Sequence, residues 1–373
     1  MLFYSLCVLW NGERTMNQYL LKTFNPKTLN YNSYVLGVDI GGTNTSIGVA
    51  GVLKDKVVLL FSLHFKTRDL SSVSSAVKET INYAKKQNIS ISHACVAAAG
   101  VVSSSGDFAD LTNVDWDVDT DQIIRDTGLD SVFIINDFQA IGYGINLLDH
   151  SNHADVFVAK KAEKNDFSKA TKAIIGAGTG LGKSILFYDK GMNAYIPLPS
   201  EGGHGDFPAQ NSFELGLLGF LKKERGFDEP VCYEELLSGR GVEGIYMFLR
   251  KLKNVESKVS KEIDCADDKA EIIFKNKNVD ETCRETFRLF SCFYGRCAKN
   301  FVLDTMSLGG LYIAGGIASK NKDIFTSDVF LDEFLNAYQR KDVLERTQIS
   351  VIMNYDVSLY GACFAAMLRG YKK

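Results

Sequence analysis

Two stretches of this sequence share a pattern that few folds can accommodate. VDIGGTNTSIGVA (Val38–Ala50) and IIGAGTGLGKSILFYD (Ile174–Asp189) each run from apolar residues through a glycine-rich turn into apolar residues again. The second contains AGTGLGKS, which departs from the P-loop pattern G-x-x-x-x-G-K-[ST] only at Ala177. A P-loop joins a strand to a helix. After Lys183, however, Ile185, Leu186, Phe187 and Tyr188 form a strand-like run that the turn signal Asp189-Lys190-Gly191 closes. The dinucleotide pattern G-x-G-x-x-G fails as well, at Leu181 and Lys183. Both stretches therefore read as strand, turn, strand. Glycine turns of this kind aim several backbone N–H groups at one anion, and two of them facing each other would clamp a polyphosphate. On this reading Lys183 lies on the outgoing strand, beyond the turn, as a solvated charge.

The chain has 373 residues, enough for two cores, with 46% hydrophobic and 23% charged residues. A net charge of −3 gives no reason to expect a nucleic-acid or membrane partner. The eight cysteines are scattered without a C-x-x-C pair and read as free buried thiols in a reducing, cytoplasmic setting. MLFYSLCVLW at the start lacks a basic flank and is too short to span a bilayer, and Met16 is an alternative start.

Period-2 and period-3.6 patterns alternate along the first half. KVVLLFSLHFKT reads as a strand, SSVSSAVKETINYAKKQN as a helix, HACVAAAGVV and SVFIINDF as buried strands, and QAIGYGINLL as a helix. In the second half SFELGLLGFLKKERG, YEELLSG, VEGIYMFLRKLK and ETFRLFSCFYGRCAKNFVLDTM read as helices. GLYIAGGIAS and ISVIMNYD read as strands, and SLYGACFAAMLRGY as a last helix. The alternation implies an α/β layered protein. The polar stretch DHSNHAD, near Leu148–Asp155, is the expected domain break.

The ordered set of motifs resembles the actin-like ATPase superfamily in its sugar-kinase form. Asp39-Ile40-Gly41-Gly42-Thr43-Asn44 looks like the first phosphate motif, Gly176–Gly182 like the second, and Ile313-Ala314-Gly315-Gly316-Ile317 like the adenosine motif. LPSEGGHGDF (Leu198–Phe207) is similar to the sugar-binding E-G-G-H stretch of bacterial-type glucokinases. TNVDW, INDF and EELLSG match further motifs of that family. The related ROK kinases carry a cysteine-rich zinc motif after this stretch, but here no cysteine follows until Cys232. The resemblance covers the chain from Tyr34 onward. It leaves the first 33 residues unexplained and matches SKVSKEIDCADDKAEIIFKNKN poorly, as a variable helical surface.

The resemblance implies a two-domain, ribonuclease H-like fold with the active site in the interdomain cleft. Residues 1–33 would be an N-terminal extension, 34–150 a small domain completed by a helix at about 356–373, and 151–355 a large domain. It implies ATP-dependent phosphorylation of D-glucose. Asp137 would be the general base, because a sugar hydroxyl is a poor nucleophile until a carboxylate takes its proton. Asn113, Asn136, Asp137, Glu201, His204 and Glu234 would hold the sugar. Asp39, Gly41, Gly42, Thr43, Asn44, Gly178, Thr179, Gly180, Gly315 and Gly316 would hold ATP, with Asp39 orienting Mg²⁺ through water. Tyr233 and Trp116 read as packing residues. Another hexose (fructose, mannose or an N-acetylhexosamine) and a non-catalytic sugar sensor of the same fold remain alternatives, and a homodimer is left open.

Overall fold

The computed structural model describes residues 19–24, 30–111, 114–163, 167–254 and 256–371. The chain divides into two units: 1–149 with 188–197 and 354–373, and 150–187 with 198–353.

The first unit holds strands β1 (Leu20–Thr23), β2 (Ser33–Ile40), β3 (Asn44–Leu53), β4 (Lys56–Lys66) and β5 (His93–Ala98). These are followed by β6 (Gly100–Val102), β7 (Phe108–Leu111), β8 (Val118–Asp119) and β9 (Ser131–Asn136). Its main sheet has the order β1-β4-β3-β2-β5-β9, and β6, β7 and β8 form a small sheet of their own. Strands β2, β5 and β9 run parallel, while β3 and β4 return antiparallel as hairpins. Successive side chains of β2 point to opposite faces, so each face acquires its own core. Leu36, Val38 and Ile40 pack beneath α1 (Val73–Lys86) and α2 (Thr120–Thr127). Val35 faces the layer that contains α3 (Asp137–Gly144).

The other six-stranded sheet comprises β10 (Val156–Lys160), β11 (Lys172–Ala177), β12 (Leu181–Asp189), β13 (Ala194–Ser200), β14 (Leu311–Ala314) and β15 (Ile349–Ile352). Their order is β10-β15-β14-β11-β12-β13. Again a glycine hairpin, β11–β12, stands beside parallel strands, β14 and β15. The helices are α4 (Ser212–Arg225), α5 (Gly239–Lys253), α6 (Lys258–Asp264), α7 (Lys269–Lys275) and α8 (Glu281–Thr305), then α9 (Gly316–Lys320), α10 (Asp328–Leu335) and α11 (Lys341–Glu345). Helix α8 lines the core with Phe290, Phe293, Tyr294 and Cys297 against Ile175, Ile313 and Val351. Its Arg296 is 2% exposed and pairs with Glu214 and Glu333. Among the described residues no helix is long and apolar enough to cross a membrane.

The sequence reading needs three adjustments here. YEELLSG is not an α-helix: Tyr233–Glu235 makes one 3₁₀ turn, and Ser238 then caps α5 by accepting from the Gly241 N–H. The segment read as a helical surface does form α6 and α7, yet Ile263, Ile273 and Phe274 are buried in the core. The described cysteines are free thiols, but Cys265 is exposed and Cys232 and Cys292 are only half-buried; Cys7 lies outside the described residues.

Helix α12 (Val357–Tyr371) returns to the first unit and lies against α3 and β2. Two glycines let α12 and α3 approach. A Cβ on Gly361 would stand 1.7 Å from the Ala140 carbonyl oxygen, and one on Gly144 2.2 Å from that of Val357. Backbone oxygens cannot rotate out of the way. We therefore expect Gly361→Ala to destabilise the fold by about 3 kcal/mol or more, at the upper end of overpacking costs. Chemical denaturation of the variant measures this, and a loss under 1 kcal/mol would show that the two helices slide apart easily.

Candidate active site

The first hairpin turn, Gly41–Asn44, is closed by the Gly41 N–H donating to the Asn44 carbonyl at 3.0 Å. Thr67 holds it from below: its hydroxyl donates to the Gly41 carbonyl at 2.7 Å and its N–H to that of Thr43 at 3.1 Å. Gly42, Thr43 and Asn44 are left exposed at the tip. Two residues before the turn, the Asp39 side chain accepts the Ser358 hydroxyl at 3.0 Å. Burial pushes the Asp39 carboxyl up to about 6; the Ser358 hydrogen bond opposes this, and the like charges of Asp137 and Asp356 add to it. Asp39 and Asp137 are thus electrostatic neighbours.

Asp137 opens α3 directly after β9. Asn136 is the N-cap: its side-chain oxygen accepts the Phe138 N–H at 2.8 Å, and Gln139 completes a capping box. That oxygen keeps a second lone pair, so it and the Asn136 NH₂ group can both serve a sugar hydroxyl. Oδ1 of Asp137 accepts the same Phe138 N–H at 2.9 Å, which orients the carboxylate at the carboxyl end of its strand. Asn113 lies outside the described residues.

In the second unit β11 and β12 pair antiparallel from Lys172↔Leu186 to Ala177↔Leu181, with Gly178, Thr179 and Gly180 between them. This is a hairpin, so the P-loop reading is excluded. Three other segments close on it. The Gly239 N–H, at the start of α5, donates to the Gly178 carbonyl at 2.9 Å. Gly315 has φ +95°, and a Cβ there would lie 2.6 Å from the Ala177 carbonyl oxygen. Gly316 follows at the start of α9. The sugar motif also reaches the hairpin, since a Cβ on Gly203 would stand 1.9 Å from the Leu181 oxygen.

Glu201 precedes the 3₁₀ turn Gly202–His204, and His204 ends it. Their side chains are mostly exposed and 3.8 Å apart, too far for a hydrogen bond, so both remain able to serve a ligand. Glu234 is differently placed. One of its oxygens accepts the Leu181 N–H at 2.9 Å and the other accepts Arg240 at 2.9 Å. Its carboxylate ties the second hairpin to α5 as well as being available to a sugar through its remaining lone pairs. Tyr233 is buried and accepts Asn300 on its hydroxyl, and Trp116 packs at the rim of the first unit's core.

Lys183 overturns the solvated-charge expectation: it is 6% exposed. Its cross-strand partner is Ile175, and directly opposed residues share a sheet face, so both point into the core toward α8. The ammonium lies 4.7 Å from the Tyr233 ring centroid and 5.0 Å from that of Phe301. Its stem runs under the sugar motif, where a Cβ on Gly202 would meet Cδ at 3.0 Å. Ser358 and Arg240 were missed as well. A serine in a helix's first turn and an arginine after S-G carry no local signal of a distant partner.

The sequence model of the glucokinase family matches residues 36–369. A glucokinase of Trichormus variabilis is 34% identical over 354 residues, covering 89% of this chain and 98% of that protein. The fold is similar to a crystal structure of glucokinase from an Antarctic psychrotroph, with TM-score 0.73, 23% identity, and 90% of this chain and 98% of that one covered. It is also similar to a ROK family glucokinase from Streptomyces griseus in complex with glucose and AMPPNP, with TM-score 0.57, 18% identity, and 90% and 99% covered. With its glycine hairpins, its E-G-G-H turn and the carboxylate at the head of α3, this chain belongs to the glucokinase family.

Proposed function

We propose that the protein transfers the γ-phosphoryl group of ATP to the 6-hydroxyl of D-glucose. The observation that carries this reading is the placement of Asp137, a carboxylate that accepts the Phe138 N–H in the first turn of its own helix, at the carboxyl end of β9 and within electrostatic range of Asp39. Asp137 serves as the base, the turns Gly41–Asn44 and Gly178–Gly180 with Asp39, Gly315 and Gly316 serve the nucleotide, and Glu201, His204 and Glu234 serve the sugar. Asn136 and Asn113 complete the sugar contacts.

Asp137 accepts the proton of the 6-hydroxyl as that oxygen attacks the γ-phosphorus. The bond to the bridging oxygen breaks, ADP departs with its electron pair, and the proton rests on Asp137. Thr179 and the hairpin N–H groups hold phosphate oxygens in line. The residues fit magnesium bound mainly by phosphates and water. Asp39 sits among like charges that a cation would relieve, and among the described residues no three ligating side chains gather to hold a metal alone. When bound, the ion neutralises phosphate charge, and Asp39 orients its waters.

A coupled assay of ADP release across glucose, fructose, mannose and N-acetylglucosamine tests the assignment, with glucose expected to give the highest kcat/KM. In the same assay Asp137→Asn should lower kcat by roughly 10²–10⁴ while glucose still binds by calorimetry. Near-normal turnover would remove Asp137 from the mechanism.

The burial of Lys183 gives a second expectation. Lys183→Ala strips an ammonium from two aromatic faces and a stem from beneath Gly202. We expect a stability loss of about 2 kcal/mol, the scale of a desolvated cation–π contact. KM for glucose should rise with it, and KM for ATP should change little. Melting curves and steady-state kinetics measure both. Loss of ATP binding at unchanged stability would assign the lysine to phosphate instead.

A further inference from the structure

The match to the glucokinase family begins at residue 36, yet residues before it reach the neighbourhood of Asp39. Strand β1 extends the first sheet by pairing with β4, Leu20↔His64 through Thr23↔Phe61, and the Phe24 N–H continues the ladder to the Leu60 carbonyl. From that edge two side chains reach the start of α12. Lys22 pairs with Asp356 at 2.5 Å, and the Phe24 ring meets the Tyr360 ring edge-on at 6.3 Å. The Lys22 ammonium also lies 4.8 Å from the Phe24 ring centroid, so the two contacts brace each other.

The gripped turn is the one that carries Ser358. The Asn354 side chain accepts the Asp356 N–H, the Tyr360 N–H donates to the Asp356 carbonyl, and between them Ser358 donates to Asp39. Beside Lys22, β4 is held rigid: Ser46 and Ser62 each hydrogen-bond one His64 ring nitrogen at 2.8 Å. The grip therefore starts from a fixed edge and ends on the hydroxyl that sets the Asp39 carboxylate. Asp356 is also a negative charge close enough to act on Asp39, and Lys22 neutralises it.

We propose that β1 and Phe24 form a clamp on the first turn of α12, with Lys22 as a positioning residue that holds Ser358, and through it Asp39, in place for Mg²⁺ and nucleotide. This rests on the reading of Asp39 given above. The chain thus uses a segment outside the family's common region to set a group inside it.

The test compares Lys22→Met, Lys22→Arg and Asp39→Asn. Hydrogen exchange of the ligand-free protein should show the amides of residues 356–360 exchanging faster in Lys22→Met and normally in Lys22→Arg. Calorimetry with Mg·ADP should show binding weakened ~3- to 10-fold in Lys22→Met, a size typical of residues that act through a network, and restored in Lys22→Arg. KM for glucose should stay unchanged. Unaltered exchange in Lys22→Met overturns the clamp whatever Asp39 does. Faster exchange with unaltered Mg·ADP binding, in a protein where Asp39→Asn does weaken binding, overturns the positioning role. Unaltered Mg·ADP binding in Asp39→Asn overturns the reading of Asp39, and the functional half of the inference with it.

Discussion

The second unit is organised by backbone atoms that come closer than any side chain would allow. Residues 177–181 are approached from three other parts of the chain. The Gly239 N–H bonds to Gly178, Gly315 lies over the Ala177 carbonyl, and Gly203 covers that of Leu181. Gly180 meets the Glu234 carboxylate, where a Cβ would stand 2.5 Å away. Each contact needs a bare α-carbon on one partner. Glycine's conformational entropy cost is accepted at these points because the Gly176–Gly182, E-G-G-H and Ile313–Ile317 segments can meet only if nothing intervenes. That is why the motifs are legible as glycine clusters although they lie far apart in sequence.

The first unit solves a different problem, which is holding negative charge in place. Asp39 and Asp137 stand at or just beyond the ends of β2 and β9, parallel strands on either side of β5, and Asp356 joins them from the start of α12. Like charges so placed would disperse if their supports were soft. They are not: Asp137 is pinned by its helix's own N–H, Asp39 by Ser358, and Asp356 by Lys22. The α3–α12 contact supports the same arrangement, because Gly144 and Gly361 allow the helix bearing Ser358 to rest on the helix that Asp137 begins. Under the proposed function a bound cation would relieve this repulsion, and the three supports would hold the carboxylates in place until it binds.

What could be read from the sequence follows from range. The long elements with one clear period were legible: β4, α1, α8 and α12 lie where their patterns place them. The ordered glycine motifs pointed to the fold and to the family. What failed depended on partners distant in sequence. Strand β1 is four residues long and exists as a strand through its pairing with β4. YEELLSG has helical composition, but the Glu234 carboxylate is drawn to Leu181 and the chain must stop to let Gly239 approach Gly178. Nothing local to Ser358 or Arg240 announces Asp39 or Glu234.

Lys183 shows how the same eight letters support two chemistries and how geometry decides between them. In G-x-x-x-x-G-K-[ST] the lysine follows a loop that turns into a helix, so its side chain curls back over the phosphates. Here the chain leaves the turn as a strand, and a strand offers each side chain only two directions. Position 183 is paired with Ile175, whose face is the core. The ammonium is therefore carried away from the turn into a space walled by Tyr233 and Phe301. Burying a cation is costly without compensation, and two aromatic faces provide part of it. Beside it also lies the Cys297 thiol, which burial pushes up to about 11 while the nearby ammonium pulls it down. A lysine that in a P-loop would touch substrate thus becomes, through a single choice of secondary structure, the floor under the E-G-G-H turn.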